Sequence, residues 1–116
     1  MPFPLDHYIE ASHVDYKERL EEKKPRSWLK SVSAFANTEG GHLIFGVKNE
    51  PREAVGLENP QAVVSRLTEL IKVRIDPTPR YRVREVEIEG KSCVDLEVQD
   101  GPAYPYYYAF DGSHTA

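Results

Sequence analysis

Three acidic positions have residue types that could bind divalent cations. Glu10 and Asp15 lie near the N-terminus, and an apolar stretch is followed by Lys48-Asn49-Glu50. Carboxylates that converge at a strand end can hold Mg²⁺ or Mn²⁺, ions that activate water and stabilise the charge of phosphodiester cleavage. The alternative is that Glu10 and Asp15 are solvated or paired with Lys17. The residues alone leave both interpretations open.

Basic residues are concentrated in two segments. Residues 17–30 contain six basic and three acidic residues, and residues 66–84 contain six basic and two acidic residues. Residues 85–100, by contrast, contain one basic and six acidic residues. The net charge of −4 argues against a protein whose whole surface binds nucleic acid, but the distribution predicts one basic face; ordinary solvated charge is the alternative. The predicted nucleic-acid contacts are Lys17, Lys23, Lys24, Arg26, Arg80, Arg82 and Arg84.

The arginines at 80, 82 and 84 occupy every second position of a predicted strand, so their side chains should share one side of a sheet. Val86 and Ile88 continue the same alternation. We expect these two to face the core together with Val94, Leu96 and Val98. A bulge or strand end near Glu85 is therefore predicted to separate the arginines from the apolar side.

Asn37 to Gly41, in the string SAFANTEGGHLIFGV, separates a helical pattern from an apolar strand. Asn37 tolerates the left-handed conformation that ends helices, and Gly40 or Gly41 is predicted to have a positive φ. The exposed N–H groups of the two glycines could also meet an anion. A helix stop with a tight turn is the alternative, and no GxxxxGK[ST] string of a nucleotide-binding loop occurs.

The composition predicts one globular domain, which we expect to be cytoplasmic. The 116 residues are 40% hydrophobic and 29% charged, and no apolar run is long enough for a membrane span. The single cysteine, Cys93, excludes an internal disulfide. The four histidines have no partner at metal-ligand spacing, so surface or capping roles are predicted for them.

Periodicity predicts an α+β order of elements. Apolar residues at helical spacing indicate helices over about 25–37 and 60–75, the second beginning with the capping pair Asn59-Pro60. The first helix should pack its Trp28, Leu29, Val32 and Phe35 face on the sheet. Strands are predicted around 14–17 and 42–48, the latter central, and a hairpin turns at Glu89-Gly90.

The C-terminal stretch GPAYPYYYAF is rich in tyrosine. Tyr104, Tyr106, Tyr107 and Tyr108 could stack on unpaired bases, because every base has an aromatic face. The alternative is a terminal strand whose alternate tyrosines pack on the sheet.

Several strings occur in a specific order: VDYKERL, SAFANTEGGHLIFGVKN, AVGL, IDPTP and EGKSCVDLEVQDGPAYPYYY. In this order they resemble the AlbA_2 family, also called the Schlafen AlbA_2 domain, a family of DNA-binding domains, over about residues 9 to 116. The resemblance implies a single α+β domain over 1–116, with a mixed sheet of about five to six strands against two main helices. Family members run on to a further strand, so the chain is expected to be truncated before it.

The resemblance also bears on catalysis. Some eukaryotic Schlafen-type members cleave RNA with an acidic triad, and Glu10 and Asp15 match its first two positions, with Asp where Glu is usual. The third position departs from the family, because Lys48-Asn49 stands where two aspartates are common. The incomplete triad favours a module that is not itself an enzyme and needs no cofactor, and it leaves enzymatic activity open.

The leading interpretation is a nucleic-acid-binding module of a bacterial-type transcriptional regulator, with DNA as its partner and RNA as an alternative, and no membrane. A Mg²⁺- or Mn²⁺-dependent nuclease and a protein-interaction or homodimerisation module are the other candidates.

Overall fold

The computed structural model describes residues 2–3, 13–21, 23, 25–101, 105–110 and 113–115, with the side chains of 13–21, 23, 25–101 and 105–107. The fold is α+β, as predicted. Its elements are β1 (Pro2–Phe3), β2 (Val14–Lys17), α1 (Arg26–Ala36), β3 (Gly41–Phe45), β4 (Val47–Asn49), β5 (Arg52–Ala54), α2 (Pro60–Arg74), β6 (Ile75–Asp76), β7 (Arg80–Ile88), β8 (Lys91–Gln99), β9 (Tyr107–Phe110) and β10 (Ser113–Thr115).

The main sheet has five strands in the order β1-β7-β8-β3-β2. The three inner strands pair antiparallel, whereas β2 runs parallel to β3 and β1 parallel to β7, so the sheet is mixed. A second sheet has the order β10-β9-β6, and β4 and β5 form a hairpin of their own. Neither helix in the described part of the chain is long and apolar enough to cross a membrane.

Both helices lie close to their predicted positions. The side chain of Asn59 accepts a hydrogen bond from the Ala62 N–H over 3.2 Å, which satisfies one of the amides left unpaired at the start of α2, and Pro60 fits the first turn because it lacks an N–H. Helix α1 begins after Pro25 without a side-chain cap. Its stability therefore depends on the apolar face that it buries.

The larger core lies between the helices and one face of the main sheet. Helix α1 contributes Trp28, Leu29 and Val32, all at most 2% exposed, with Phe35 partly buried beside them. The Trp28 ring meets Phe45 edge to face, with centroids 6.0 Å apart. This confirms the predicted packing of α1 on the sheet. The sheet residues in the core are Leu43, Phe45, Val94, Leu96 and Val98.

A smaller core covers part of the opposite face of the sheet. It contains Ile44, Ile88 and Cys93, each fully buried, under the β4–β5 hairpin. The hairpin forms because Gly46, at φ 104°, interrupts the predicted 42–48 strand and turns the chain over this face. A residue with a Cβ rarely adopts that conformation.

This smaller core corrects the predicted facing of the β7–β8 hairpin. The register pairs Val86 with Cys93 and Glu85 with Val94, so Val86 and Ile88 lie on the opposite face from Val94, Leu96 and Val98. No bulge occurs, since pairing is continuous from Arg80 to Ile88. The prediction failed because it assumed one apolar face, whereas this sheet buries side chains on both.

Candidate functional site

The predicted arginines lie on the face of the sheet opposite the helices. Arg80, Arg82 and Arg84 are exposed on β7, opposite Gln99, Glu97 and Asp95 of β8. On the next strand, the cross-strand partner of Glu97 is His42 of β3. We call the set Arg80, Arg82, Arg84, His42, Asp95 and Glu97 the arginine face.

Asp95 is the fully buried charged residue at the centre of this face, with 0% of its surface exposed. Its Oδ1 lies 2.8 Å from Nδ1 of His42, and its Oδ2 accepts a hydrogen bond from the Arg84 guanidinium over 2.9 Å. Burying an ionised carboxylate is costly unless charged partners satisfy it. Asp95 therefore links β3, β8 and β7 through both of its oxygens.

This pairing changes the charge of His42. The hydrogen bond to Asp95 raises the pKa of His42, and the charges of Asp95 and Glu97 act in the same direction, while burial and Arg84 oppose the rise. A larger fraction of the imidazole is thus protonated near neutral pH than for an ordinary histidine. With His42 protonated, four cations face two carboxylates, and the carboxylate of Asp95 is buried. Among these six residues, the charge that meets solvent is therefore mainly positive.

The other predicted basic residues lie elsewhere. Lys17 pairs with Asp15 over 3.3 Å and approaches Ser27 of α1 at 3.5 Å. The strand partners of Asp15 and Lys17 are Leu43 and Phe45, which point into the larger core. Lys17 therefore lies on the helix side, where Lys23 and Arg26 are exposed beside the start of α1. Lys17 and Arg26 therefore lie on the opposite side of the sheet from Arg80, Arg82 and Arg84, and Lys24 lies outside the described residues.

The acidic candidates do not form a metal centre in the described part of the chain. Asp15 is held by Lys17 and accepts a hydrogen bond from Ser31 over 3.2 Å, and Glu10 lies outside the described residues. Lys48 and Asn49 are exposed on β4. No group of three or more His, Cys, Asp or Glu side chains that could hold a metal occurs among the residues described.

The glycine turn is shaped by close packing. Gly40 has φ 81°, as predicted, and its N–H donates to Phe35 O over 2.8 Å. A Cβ at Gly40 would lie 2.6 Å from Val98 O, and one at Gly41 would lie 2.9 Å from His13 O. The residues that line a cavity of ≈250 Å³ beside the turn include three acidic ones, Glu39, Glu97 and Asp100. These contacts favour the tight-turn interpretation over an anion contact.

Asn37 is the C-cap residue of α1, as predicted, but without the predicted left-handed conformation. Its backbone is right-handed, at φ −85° and ψ −7°, so the left-handed residue of the turn is Gly40. The Asn37 amide donates to Tyr106 O over 2.9 Å and accepts from the Tyr106 N–H over 2.6 Å. Ser33 donates to the same carbonyl over 2.9 Å. The string SAFANTEGG thus fixes the tyrosine-rich segment against α1.

The tyrosines divide between two environments. Tyr106 is 2% exposed and belongs to the larger core, while Tyr107 is 37% exposed. Tyr107 and Tyr108 pair with β6. Tyr104 lies outside the described residues. The burial of Tyr106 favours the packed-strand interpretation for that residue.

The sequence reasoning missed His42 and Asp95. The histidine was expected at the surface or at a cap, and the aspartate was counted only as part of an acidic segment. One signal could have found Asp95, because it stands between Val94 and Leu96 in a strand that is apolar on both sides. A charged residue inside such a stretch must have partners.

A family model described as Schlafen, AlbA_2 matches residues 10–115. The chain belongs to the Schlafen AlbA_2 family. Within 50 residues this AlbA_2 domain is 36% identical to a Ureaplasma parvum serovar 3 protein named as an uncharacterized ATP-binding protein; the match covers 43% of the domain and 14% of that relative.

Two solved structures share the fold of this AlbA_2 domain. One is the N-terminal domain of a protein from Nitrosomonas europaea named as related to the ATP-dependent DNA helicase RecG, with TM-score 0.74 and 23% identity, covering 97% of the domain and 82% of that chain. The other is the DIP2311 protein of Corynebacterium diphtheriae, with TM-score 0.55 and 21% identity, and the match covers 91% of the domain and 22% of that chain. At these identities the likeness concerns the fold alone.

Proposed function

We propose that this AlbA_2 domain is a DNA-binding module of a transcriptional regulator, which contacts the phosphate backbone with its arginine face and does not cleave it. The observation that carries the proposal is the row Arg80, Arg82 and Arg84, exposed at alternate positions of one strand. Such side chains form an electrostatic contact with successive phosphates. The Nitrosomonas structure of the same fold comes from a protein whose name refers to a DNA helicase.

Two features support binding rather than cleavage. Lys48 and Asn49 stand where family sequences commonly have two aspartates, and a lysine ammonium would repel a cation there. Asp15 is already engaged by Lys17 and Ser31. In a nuclease, Asp15 would have to exchange these two partners for a metal ion.

The test is a binding titration with duplex DNA, single-stranded DNA and RNA of equal length, with and without Mg²⁺ or Mn²⁺. Affinity for random-sequence duplex should fall steeply between about 50 and 200 mM salt. Each phosphate contacted should contribute roughly 0.9 to the steepness of the plot of log affinity against log salt concentration. Intact oligonucleotide after incubation with either metal is expected. If no nucleic acid binds at low salt, the proposed function is wrong. If the oligonucleotide is cleaved in the presence of either metal, the domain is a nuclease.

A second candidate, self-association, is favoured by one observation. A cavity of ≈480 Å³ beside the first turns of α2 is lined by the apolar residues Leu20, Leu57 and Val63, together with residues of both charges that include Arg19, Glu58, Arg66 and Glu69. Sedimentation at several protein concentrations tests this candidate. A concentration-dependent dimer without nucleic-acid binding would favour the interaction module.

A further inference from the structure

We propose that Arg84 and His42, both held by the buried carboxylate of Asp95, form a phosphate-binding subsite at the centre of the arginine face. Asp95 is the positioning residue of this subsite. The inference deepens the proposed function and rests on it for the source of the phosphate, a nucleic-acid backbone. Any phosphate group could bind the same two donors, so the tests below distinguish phosphate binding at this subsite from DNA binding by the whole domain.

The geometry holds two partly exposed donors on one buried carboxylate. Asp95 is fully buried, whereas the Arg84 side chain is 44% exposed and that of His42 is 21% exposed. Each binds a different oxygen of the same carboxylate. Solvent therefore meets the guanidinium and the imidazole rather than the carboxylate that orients them.

Holding an arginine in place matters for phosphate recognition. The guanidinium is a planar fork that can bind phosphate through two parallel hydrogen bonds, and fixing it beforehand removes an ordering cost from binding. Arg80 lies opposite Gln99, which offers no ionic partner of this kind. Arg84 should accordingly be the most specific phosphate contact of the row.

The charges around His42 decide how the subsite depends on pH. Asp95 and Glu97 of β8 raise the pKa of His42, and Arg84 of β7 lowers it. The adjoining cavity, which His42 itself lines, contains in addition His13, Glu39 and Asp100. The hydrogen bond to Asp95 is the largest influence, so the imidazole becomes a charged donor at a higher pH than an ordinary histidine. Phosphate binding should weaken as the pH rises through the pKa of His42.

Two matched substitutions distinguish the positioning of Arg84 and His42 by Asp95 from the general effect of its negative charge. Asp95→Asn and Glu97→Gln each remove one negative charge from the arginine face. If charge alone governed binding, both would strengthen it. If Asp95 positions Arg84 and His42, Glu97→Gln strengthens binding of duplex DNA while Asp95→Asn weakens it by about tenfold, the factor expected for losing one well-formed charged hydrogen bond. Strengthening by both variants would overturn the subsite.

Loss of the fold in Asp95→Asn would be detected by circular dichroism, and a second pair of variants then decides. Arg84→Lys keeps the charge and loses the fork, as does Arg80→Lys. Because Asp95 holds residue 84 and not residue 80, Arg84→Lys should weaken DNA binding several-fold more than Arg80→Lys. Equal effects would contradict the proposal.

Nuclear magnetic resonance of the His42 ring with inorganic phosphate tests the subsite without nucleic acid. Phosphate should raise the titration midpoint of His42 in the wild type and leave it unmoved in Arg84→Ala, because the arginine shares the ligand. DNA binding without any response of His42 to phosphate or DNA would overturn the subsite alone. A response to phosphate without DNA binding would remove the proposed function and leave the subsite standing.

Discussion

The side-chain amide of Asn37 forms two hydrogen bonds with the backbone of Tyr106, one from each of its polar atoms, over 2.9 and 2.6 Å. The two residues are 69 positions apart in sequence. This contact attaches the C-terminal tyrosine segment to the end of α1. It explains why the polar string after the helix has a structural role that its composition does not reveal.

Asn37→Ala is expected to destabilise the fold by about 2–3 kcal/mol, because two hydrogen bonds are lost and the Tyr106 N–H is left without this acceptor. Urea denaturation measures the change. Ser33→Ala, which removes one bond to the same carbonyl, should cost about 1 kcal/mol. Asn49→Ala, at an exposed position of β4, is the control and should lie within about 0.5 kcal/mol of the wild type. An Asn37→Ala variant as stable as this control would refute the attachment.

Gly40 and Gly90 allow strain and crowding to be measured separately. Both have φ 81°, but a Cβ at Gly40 would lie 2.6 Å from Val98 O, whereas one at Gly90 would meet nothing within 4 Å. Gly90→Ala should therefore cost only the left-handed penalty of about 1–2 kcal/mol. Gly40→Ala should cost clearly more, because a backbone oxygen must shift. Equal melting temperatures for the two variants would show that the close approach carries no energy.

The parts of the fold that could be predicted have local causes. The start of α2 follows from Asn59-Pro60, and the β7–β8 turn follows from Glu89-Gly90, because caps and turns depend on a few adjacent residues. The predicted face for Val86 was wrong. Alternation along a strand shows which residues share a face, but it does not show which face is buried. A sheet with apolar residues on both faces defeats that inference.

The candidate site shows the same division. The shared side of Arg80, Arg82 and Arg84 could be predicted from spacing alone. The link from Asp95 to His42 joins residues 53 positions apart, and it exists only because β3 and β8 pair in one particular register. The separation of Arg26 from this row depends likewise on which face of the sheet α1 covers. Neither feature has a local sequence signal.

The folded-state pKa of His42 is raised, so its contribution to stability has a definite sign with pH. The contribution is fully present below about pH 6.5, the ordinary histidine value, and is lost as the pH rises through the raised pKa. The wild type should therefore lose stability relative to His42→Gln as the pH rises from about 6.5 through the raised pKa of His42. Urea midpoints of both proteins at several pH values measure this, and parallel pH profiles would contradict it.

Arg82→Ala and Arg26→Ala compare the two basic faces directly. Each variant removes one exposed arginine, on opposite faces of the sheet. If DNA lies on the arginine face, Arg82→Ala should weaken binding of random-sequence duplex and flatten the slope of log affinity against log salt by roughly one unit, because one phosphate contact is lost. Other sequences should be affected equally, since phosphate contacts carry no base information. Arg26→Ala should change the slope by much less. The reverse result, a flattened slope for Arg26→Ala alone, would move the nucleic-acid surface to the start of α1 and leave the arginine face with a structural role.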